Sequence, residues 1–283
     1  MYSQANPLIG CIKTLGVDFM NYGVKKFARL LLKYRSQLAV IMAVAVFLGV
    51  PALVNSPAMV GAAATMRELP IYSVARDNKC VSFTFDAAWG NEDTQLLIDI
   101  LERYNIKATF FLVGEWVDKY PESVLALHEA DHEIMSHSDD HAHFNKLSEG
   151  QIIENLGVCN DKIESIIGLR PTLFRPPYGE YDDHVIRTVR SIGMEPIQWD
   201  VDSLDWKGIS AEDITKRVTS KVQPGSIVLF HNAAEHTPKA LPGIIEYLLS
   251  EGYQIIPASE ILIQGDYTID HTGKQWPATR KEG

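Results

Sequence analysis

The sequence predicts an α/β domain built on a parallel sheet, open or closed, behind an N-terminal membrane segment. Three observations predict it. From Val81 onward, short apolar runs alternate with amphipathic stretches of helical period. Glycines stand where those helical stretches end. And Leu38–Val54, LAVIMAVAVFLGVPALV, carries no charge and follows the basic cluster Lys25 to Arg35.

The apolar run comes first. Charged side chains are costly in hydrocarbon, so a charge-free run favours a bilayer, and a basic flank stays on the cytoplasmic side. Gly61 to Ala64 are small enough to serve as a cleavage site. The expected organisation is a basic cytoplasmic segment over 1–37, a signal peptide or membrane anchor over 38–64, a linker over 65–78, the catalytic domain over 79–264 and a loose polar tail over 265–283. Everything after about residue 65 is then outside the cytoplasm, held at the membrane or secreted if the anchor is cleaved.

Within the domain, strands are expected at Val81–Phe85, Ala108–Leu112, Glu133–Ser136, Leu173–Arg175, Pro196–Trp199, Ile227–Phe230 and Gln254–Ile256. Helices are expected between them at Thr94–Tyr104, Gln151–Ile167, Asp183–Ile192, Ala211–Val222 and Pro238–Leu249, each with its apolar residues on one face. Gly168, Gly193, Gly225 and Gly252 punctuate the helix ends. Strands alternating with helices make a parallel sheet.

Charge narrows the partners. Residues 1–35 hold six of the 26 Lys and Arg and one of the 36 Asp and Glu, which leaves 20 basic and 35 acidic side chains in the rest. So acidic a body repels phosphates, and nucleic acid is not expected as a partner. A neutral sugar polymer is not excluded. The three cysteines, Cys11, Cys80 and Cys159, are too few for a disulfide scaffold and read as separate thiols.

The chemistry-bearing residues follow the strands. Asp86 follows the first, His137 and His141 the third, and Arg175 ends the fourth. Trp199, Asp200, Asp202, Asp205 and Trp206 follow the fifth, and His231 the sixth. The C-terminal edge of a parallel sheet is where active sites form. His137 and His141 have i, i+4 spacing, which on a helical turn places both imidazoles on one side, able to share a metal. Trp89 and Trp116 read as core or rim packing, His132 as a loop hydrogen-bonding residue, and His236 as a helix start.

Taken in order, SFTFDAAWG (82–90), HSDDH (137–141), RPPYG (175–179), WDVDSLDW (199–206) and VLFH (228–231) resemble the polysaccharide deacetylase family, the NodB-homology or carbohydrate esterase family 4 group. The resemblance runs from about Lys79 to Ile263. It implies a distorted (β/α)7 barrel and one divalent metal ion, zinc by ligand type with cobalt as an alternative, held by His137 and His141. It implies Asp86 as catalytic base, Arg175 as the residue orienting it, and His231 as the catalytic histidine tuned by Asp205. Tyr178 corresponds to a backbone oxyanion donor, and Trp199 and Leu229 to the walls of an acetyl pocket. One departure stands out: where the family carries a second aspartate as third metal ligand, this chain has Ala87. Asp139, Asp140, Glu92 and Asp93 are the nearby carboxylates in a position to replace it.

The expected function is metal-dependent removal of N-acetyl groups from a cell-wall glycan, with peptidoglycan aminosugars as substrate. The rivals are deacetylation of chitin-like or poly-N-acetylglucosamine chains, and a wall-binding protein that has lost efficient catalysis through Ala87.

Overall fold

The computed structural model describes residues 67–278 together with Lys33, Tyr34 and Gln37. The expected cytoplasmic segment and membrane run therefore lie outside the described residues, and among the described residues no helix is long and apolar enough to cross a membrane.

Residues 80–255 build a curled parallel sheet wrapped in helices, of the kind the sequence predicts. Its strands are β2 (Cys80–Ala87), β3 (Thr109–Leu112), β4 (Glu133–Ser136), β5 (Leu173–Phe174), β6 (Glu195–Pro196), β7 (Val201–Asp202) and β8 (Ile227–His231). They lie in the order β6-β5-β4-β3-β2-β8-β7, and β9 (Gln254–Ile255) pairs with the start of β2. Every one of these pairings is parallel. Strand β2 is buried along its whole length, as befits the centre of a parallel sheet covered on both faces. Its residues nonetheless alternate: Val81, Phe83, Phe85 and Ala87 join the main apolar cluster, while Asp86 is on the opposite parity. Phe85 stacks on Phe110 and Phe230 from the two neighbouring strands.

The helices α1 (Thr94–Arg103), α2 (Gly114–Lys119), α3 (Pro121–Glu129), α4 (Glu149–Ile167), α5 (Asp183–Ser191), α6 (Ala211–Thr219), α7 (Thr237–Ser250) and α8 (Ala258–Ile261) complete the alternation. The start of α4 is set by a capping box, with Ser148 and Gln151 satisfying each other's backbone N–H. Its end is set by Gly168 at φ 71. Helices α2 and α3 were not expected: α2 is only six residues long, and α3 buries only Ser123, Val124 and Leu127.

Three sequence expectations need correction. Of the supposed linker over 65–78, the described residues 67–78 are part of the fold. Ile71 N–H donates to Pro196 O, and Gln198 N–H donates back to Ile71 O. Val74 N–H donates to Gly225 O, and Ile71 and Val74 are fully buried. This segment lines the seam where the sheet would otherwise show an open edge. For the same reason the strand expected over Pro196–Trp199 splits: β6 ends at Pro196, and Val201–Asp202 resumes as a separate strand against β8.

The described part of the supposed loose tail, 265–278, is also ordered. Tyr267–Ile269 (β10) and Lys274–Pro277 (β11) form an antiparallel hairpin, and Ser73–Val74 (β1) pairs with β11 to make a three-stranded sheet. Polar bonds rather than an apolar stripe hold it. The side chain of Gln275, 1% exposed, accepts from Ile263 N and donates to Ile263 O.

Third, His137 and His141 do not share a helical turn. They lie in a loop in which Ser138 and His141 have φ 74 and 55. The Ser138 hydroxyl accepts the His141 N–H at 2.9 Å. The loop brings the rings to a centroid distance of 5.0 Å by a different route from the one expected. Cys80 and Cys159 are buried, separate thiols.

Candidate active site

Strand register sets the site. Asp86 at the end of β2 lies directly beside His231 at the end of β8. His137 follows β4, with its N–H donated to Leu112 O, and Arg175 follows β5, with its N–H donated to Ser136 O. Four strand ends thus deliver these side chains to one level. Above them opens a cleft of about 410 Å³, in which Asp86, His137, His141, Tyr178, Trp199, Leu229 and His231 meet. Arg175 and Asp205, fully or almost fully buried, stand behind it.

Two charged pairs organise the cleft. Arg175 Nη1 donates to Asp86 Oδ1 at 2.7 Å, and its Nη2 to Gln198 O at 3.1 Å. The guanidinium is wedged against the rings of Phe111 and Trp199, 4.2 and 5.5 Å from their centroids. Burial pushes the Asp86 carboxyl up, but Arg175, then His137 and His231, outweigh it and hold it below the ordinary carboxylate value. Asp86 is therefore ionised at neutral pH.

In the second pair, His231 Nδ1 meets Asp205 Oδ1 at 2.8 Å. The other oxygen of Asp205 accepts the His231 N–H at 2.8 Å and the Thr237 hydroxyl at 2.7 Å. Every lone-pair direction of this buried carboxylate that matters for orientation is thus engaged. Burial favours the neutral imidazole of His231. The bond to Asp205 and its charge, aided by Asp86 and Asp202, prevail and raise the pKa above 6.5.

The remaining two imidazoles are of the opposite kind. Burial lowers the pKa of His137, against the pull of Asp86. Burial and neighbouring His137 lower that of His141 to about 4. His137 Nδ1 lies 2.8 Å from Arg175 O, so it carries the proton and leaves Nε2 with a free lone pair. Two neutral imidazoles side by side suit a divalent cation. No third ligand joins them: among the described residues no group of three His, Cys, Asp or Glu side chains is disposed to hold a metal. Ala87 is 1% exposed and packs in the apolar cluster. Asp139 is paired with Lys162 at 2.6 Å, Asp140 accepts from Asn155 and Ala142, and Asp93 accepts the Ala233 N–H. The donors fit a cation as a two-imidazole site, one protein ligand short of the family's set.

Sequence reasoning placed all nine of its site residues in or directly behind the cleft. It left Trp89, Asp202 and Trp206 without a role, and all three line the cleft. The indole of Trp89, 66% exposed, was read as core or rim packing, and that of Trp206, 57% exposed, only as following the fifth strand. Asp200, beside Trp199 in the same motif, turns away and ties Ser226 and Ile227 N instead. Burial raises its pKa to about 6. Trp116 packs in the core, and His132 accepts from Ala108 N.

Residues 73–197 match the family model for polysaccharide deacetylase. A peptidoglycan-N-acetylglucosamine deacetylase of Bacillus cereus is 31% identical over 196 residues, covering 68% of this chain and 92% of that one. The peptidoglycan-N-acetylmuramic acid deacetylase PdaC of Bacillus subtilis is 32% identical over 189 residues, covering 67% of this chain and 40% of it. Among solved structures, a Bacillus anthracis carbohydrate esterase family 4 pseudoenzyme superposes with a TM-score of 0.67 at 34% identity, covering 69% of each chain. A mutant of that pseudoenzyme is described as having restored enzymatic activity. The chain spans between 40% and 60% of the length of several curated relatives it matches. With the strand-end residues, the fold and a relative matched over nearly its full length in agreement, the chain belongs to the polysaccharide deacetylase family.

Proposed function

We propose that this protein hydrolyses N-acetyl groups on the aminosugars of a cell-wall glycan, with peptidoglycan as the substrate. The observation that carries the reading is the pairing of opposites in one cleft: a carboxylate bonded to Arg175 beside an imidazole bonded to Asp205, which raises its pKa. Amide hydrolysis needs such a base and such an acid. A base removes the proton of the attacking water, and an acid protonates the departing nitrogen, which is otherwise a poor leaving group. Asp86 fills the first role and His231 the second. As the water oxygen bonds to the acetyl carbon, the Tyr178 N–H donates to the developing oxyanion. The C–N bond then breaks as His231 gives up its proton, releasing acetate and the free amine. Trp199 and Leu229 line the cleft and wall the space for the acetyl group.

A divalent cation held by His137 and His141, zinc by ligand chemistry, supplies Lewis acidity toward the acetyl carbonyl and the water. The charge-free run after a basic flank supports a location outside the cytoplasm, where the cleft would meet the wall. The peptidoglycan deacetylases among its relatives support the choice of polymer.

One observation favours a second reading, a wall-binding protein without turnover: the missing carboxylate at Ala87, in a chain that superposes on a protein described as a pseudoenzyme. Against it stand Asp86, Arg175, Asp205 and His231, each with its partner in place. Acetate release from peptidoglycan and from chitooligosaccharides, with and without chelator, tests the proposal. Release that is greater on peptidoglycan and abolished by chelator is expected. Equal release on both rejects the polymer, and release insensitive to chelator rejects the metal.

A further inference from the structure

Two loops meet at Tyr178. This residue has φ 60 and ψ 5 inside the single turn Pro177–Gly179. A residue bearing a Cβ is strained there and stays only where its surroundings impose the conformation. Behind it, Gly179 at φ +68 leaves room for Trp199: a Cβ on Gly179 would come 3.1 Å from Cη2 of that indole. Gln198 Nε2 donates to Gly179 O at 3.1 Å.

In front, the Tyr178 ring is half exposed and bracketed by two histidines. His143 stacks on its face, with centroids 4.4 Å apart and planes at 15°. His141 meets it edge-on at 4.4 Å and 68°. His143 is itself tethered: its Nδ1 lies 2.7 Å from Oε2 of Glu180, two residues beyond Tyr178. The contact thus closes a ring between the loop carrying His141 and the loop carrying Tyr178. Tyr178 lines the cleft and His143 does not.

We propose that His143, tethered by Glu180, is a positioning residue whose stacking on Tyr178 holds the left-handed backbone that aims the Tyr178 N–H into the cleft. The role of that N–H rests on the deacetylase reading; the clamp on the backbone does not.

The test compares the full-length protein with its His143→Ala and His143→Phe variants, by amide hydrogen exchange over residues 176–180 and by steady-state kinetics on acetylated glycan. His143→Ala is expected to speed exchange at Gly179 and Glu180, whose N–H groups donate to Pro176 O and Pro177 O, and to lower kcat about tenfold with KM little changed, less than the ~10²–10³ that follows outright loss of an oxyanion donor. His143→Phe keeps a ring for Tyr178 to stack on and is expected to recover both readouts to within about threefold. Wild-type exchange and kcat in His143→Ala would overturn the proposal. So would a Phe variant as impaired as the Ala variant, or a raised KM at unchanged kcat, which would make His143 a substrate contact. Should the wild type release no acetate, the deacetylase reading fails and the exchange measurement alone decides the clamp.

Discussion

Arg175 and Asp86 are joined at 2.7 Å across the floor of the cleft, and both are buried. A charge pair in such a place is costly to break, because the surviving partner stays buried without its counter-charge. Arg175→Met is therefore predicted to destabilise the fold by about 3–5 kcal/mol. Chemical denaturation checks this. A change below about 1 kcal/mol, the range of exposed pairs, would mean that water reaches the site and that Asp86 does not depend on Arg175.

The Asp205–His231 pair predicts a pH dependence. His231 must carry a proton to protonate the leaving amine, and its pKa lies above the ordinary 6.5. The alkaline limb of the rate profile is thus expected above pH 6.5. Asp205→Asn removes the charge that raises it and leaves burial, which lowers it, so the limb should move to lower pH. The sign for stability follows. A raised folded pKa contributes stability that is complete below the unfolded value and fades as pH rises through the folded one. The stability gap between wild type and Asp205→Asn should therefore narrow on the alkaline side. An alkaline limb unmoved in the variant would assign it to another group.

Much of the site was legible because its residues are polar and stand where apolar strands stop. Asp86, His137, Arg175 and His231 each interrupt or end a strand pattern, and register then fixes their meeting. What was not legible depended on bonds between distant segments. Nothing in the local pattern of Ile71 or Val74 says that they line the seam beside β6 and β8. Nothing in the polar stretch after Gly265 says that Gln275 is buried through two bonds to Ile263. The loop of His137–His141 was read as a helical turn because spacing alone cannot distinguish a helix from a loop with two left-handed residues.

Ala87 is buried among apolar side chains, so Ala87→Asp places a carboxylate where only a cation would compensate it. Without metal the variant should be less stable than wild type, by about 1–3 kcal/mol for a polar group buried without a partner. Zinc should then raise its melting temperature more than it raises that of wild type, since ligand binding to the folded state alone adds stability in proportion to affinity. Equal zinc shifts in the two proteins would mean that the missing carboxylate is already replaced or that position 87 does not face the metal.

Membrane topology is tested separately. A reporter fused after Gly283 and active only outside the cytoplasm should report activity if the charge-free run 38–54 exports the domain. A cytoplasmic reporter that is active in the same place would contradict the assignment.

The central claim is that Asp86 acts as a base on an acetylated wall glycan, and acetate release from peptidoglycan at saturating zinc or cobalt tests it most directly. Wild type should release acetate, and Asp86→Asn, shown by its melting curve to be folded although Arg175 loses its counter-charge, should release none while still binding the wall, since the substitution preserves shape and removes the proton acceptor. No release by either protein, with wall binding intact in both, would contradict the claim and leave a binding protein in its place.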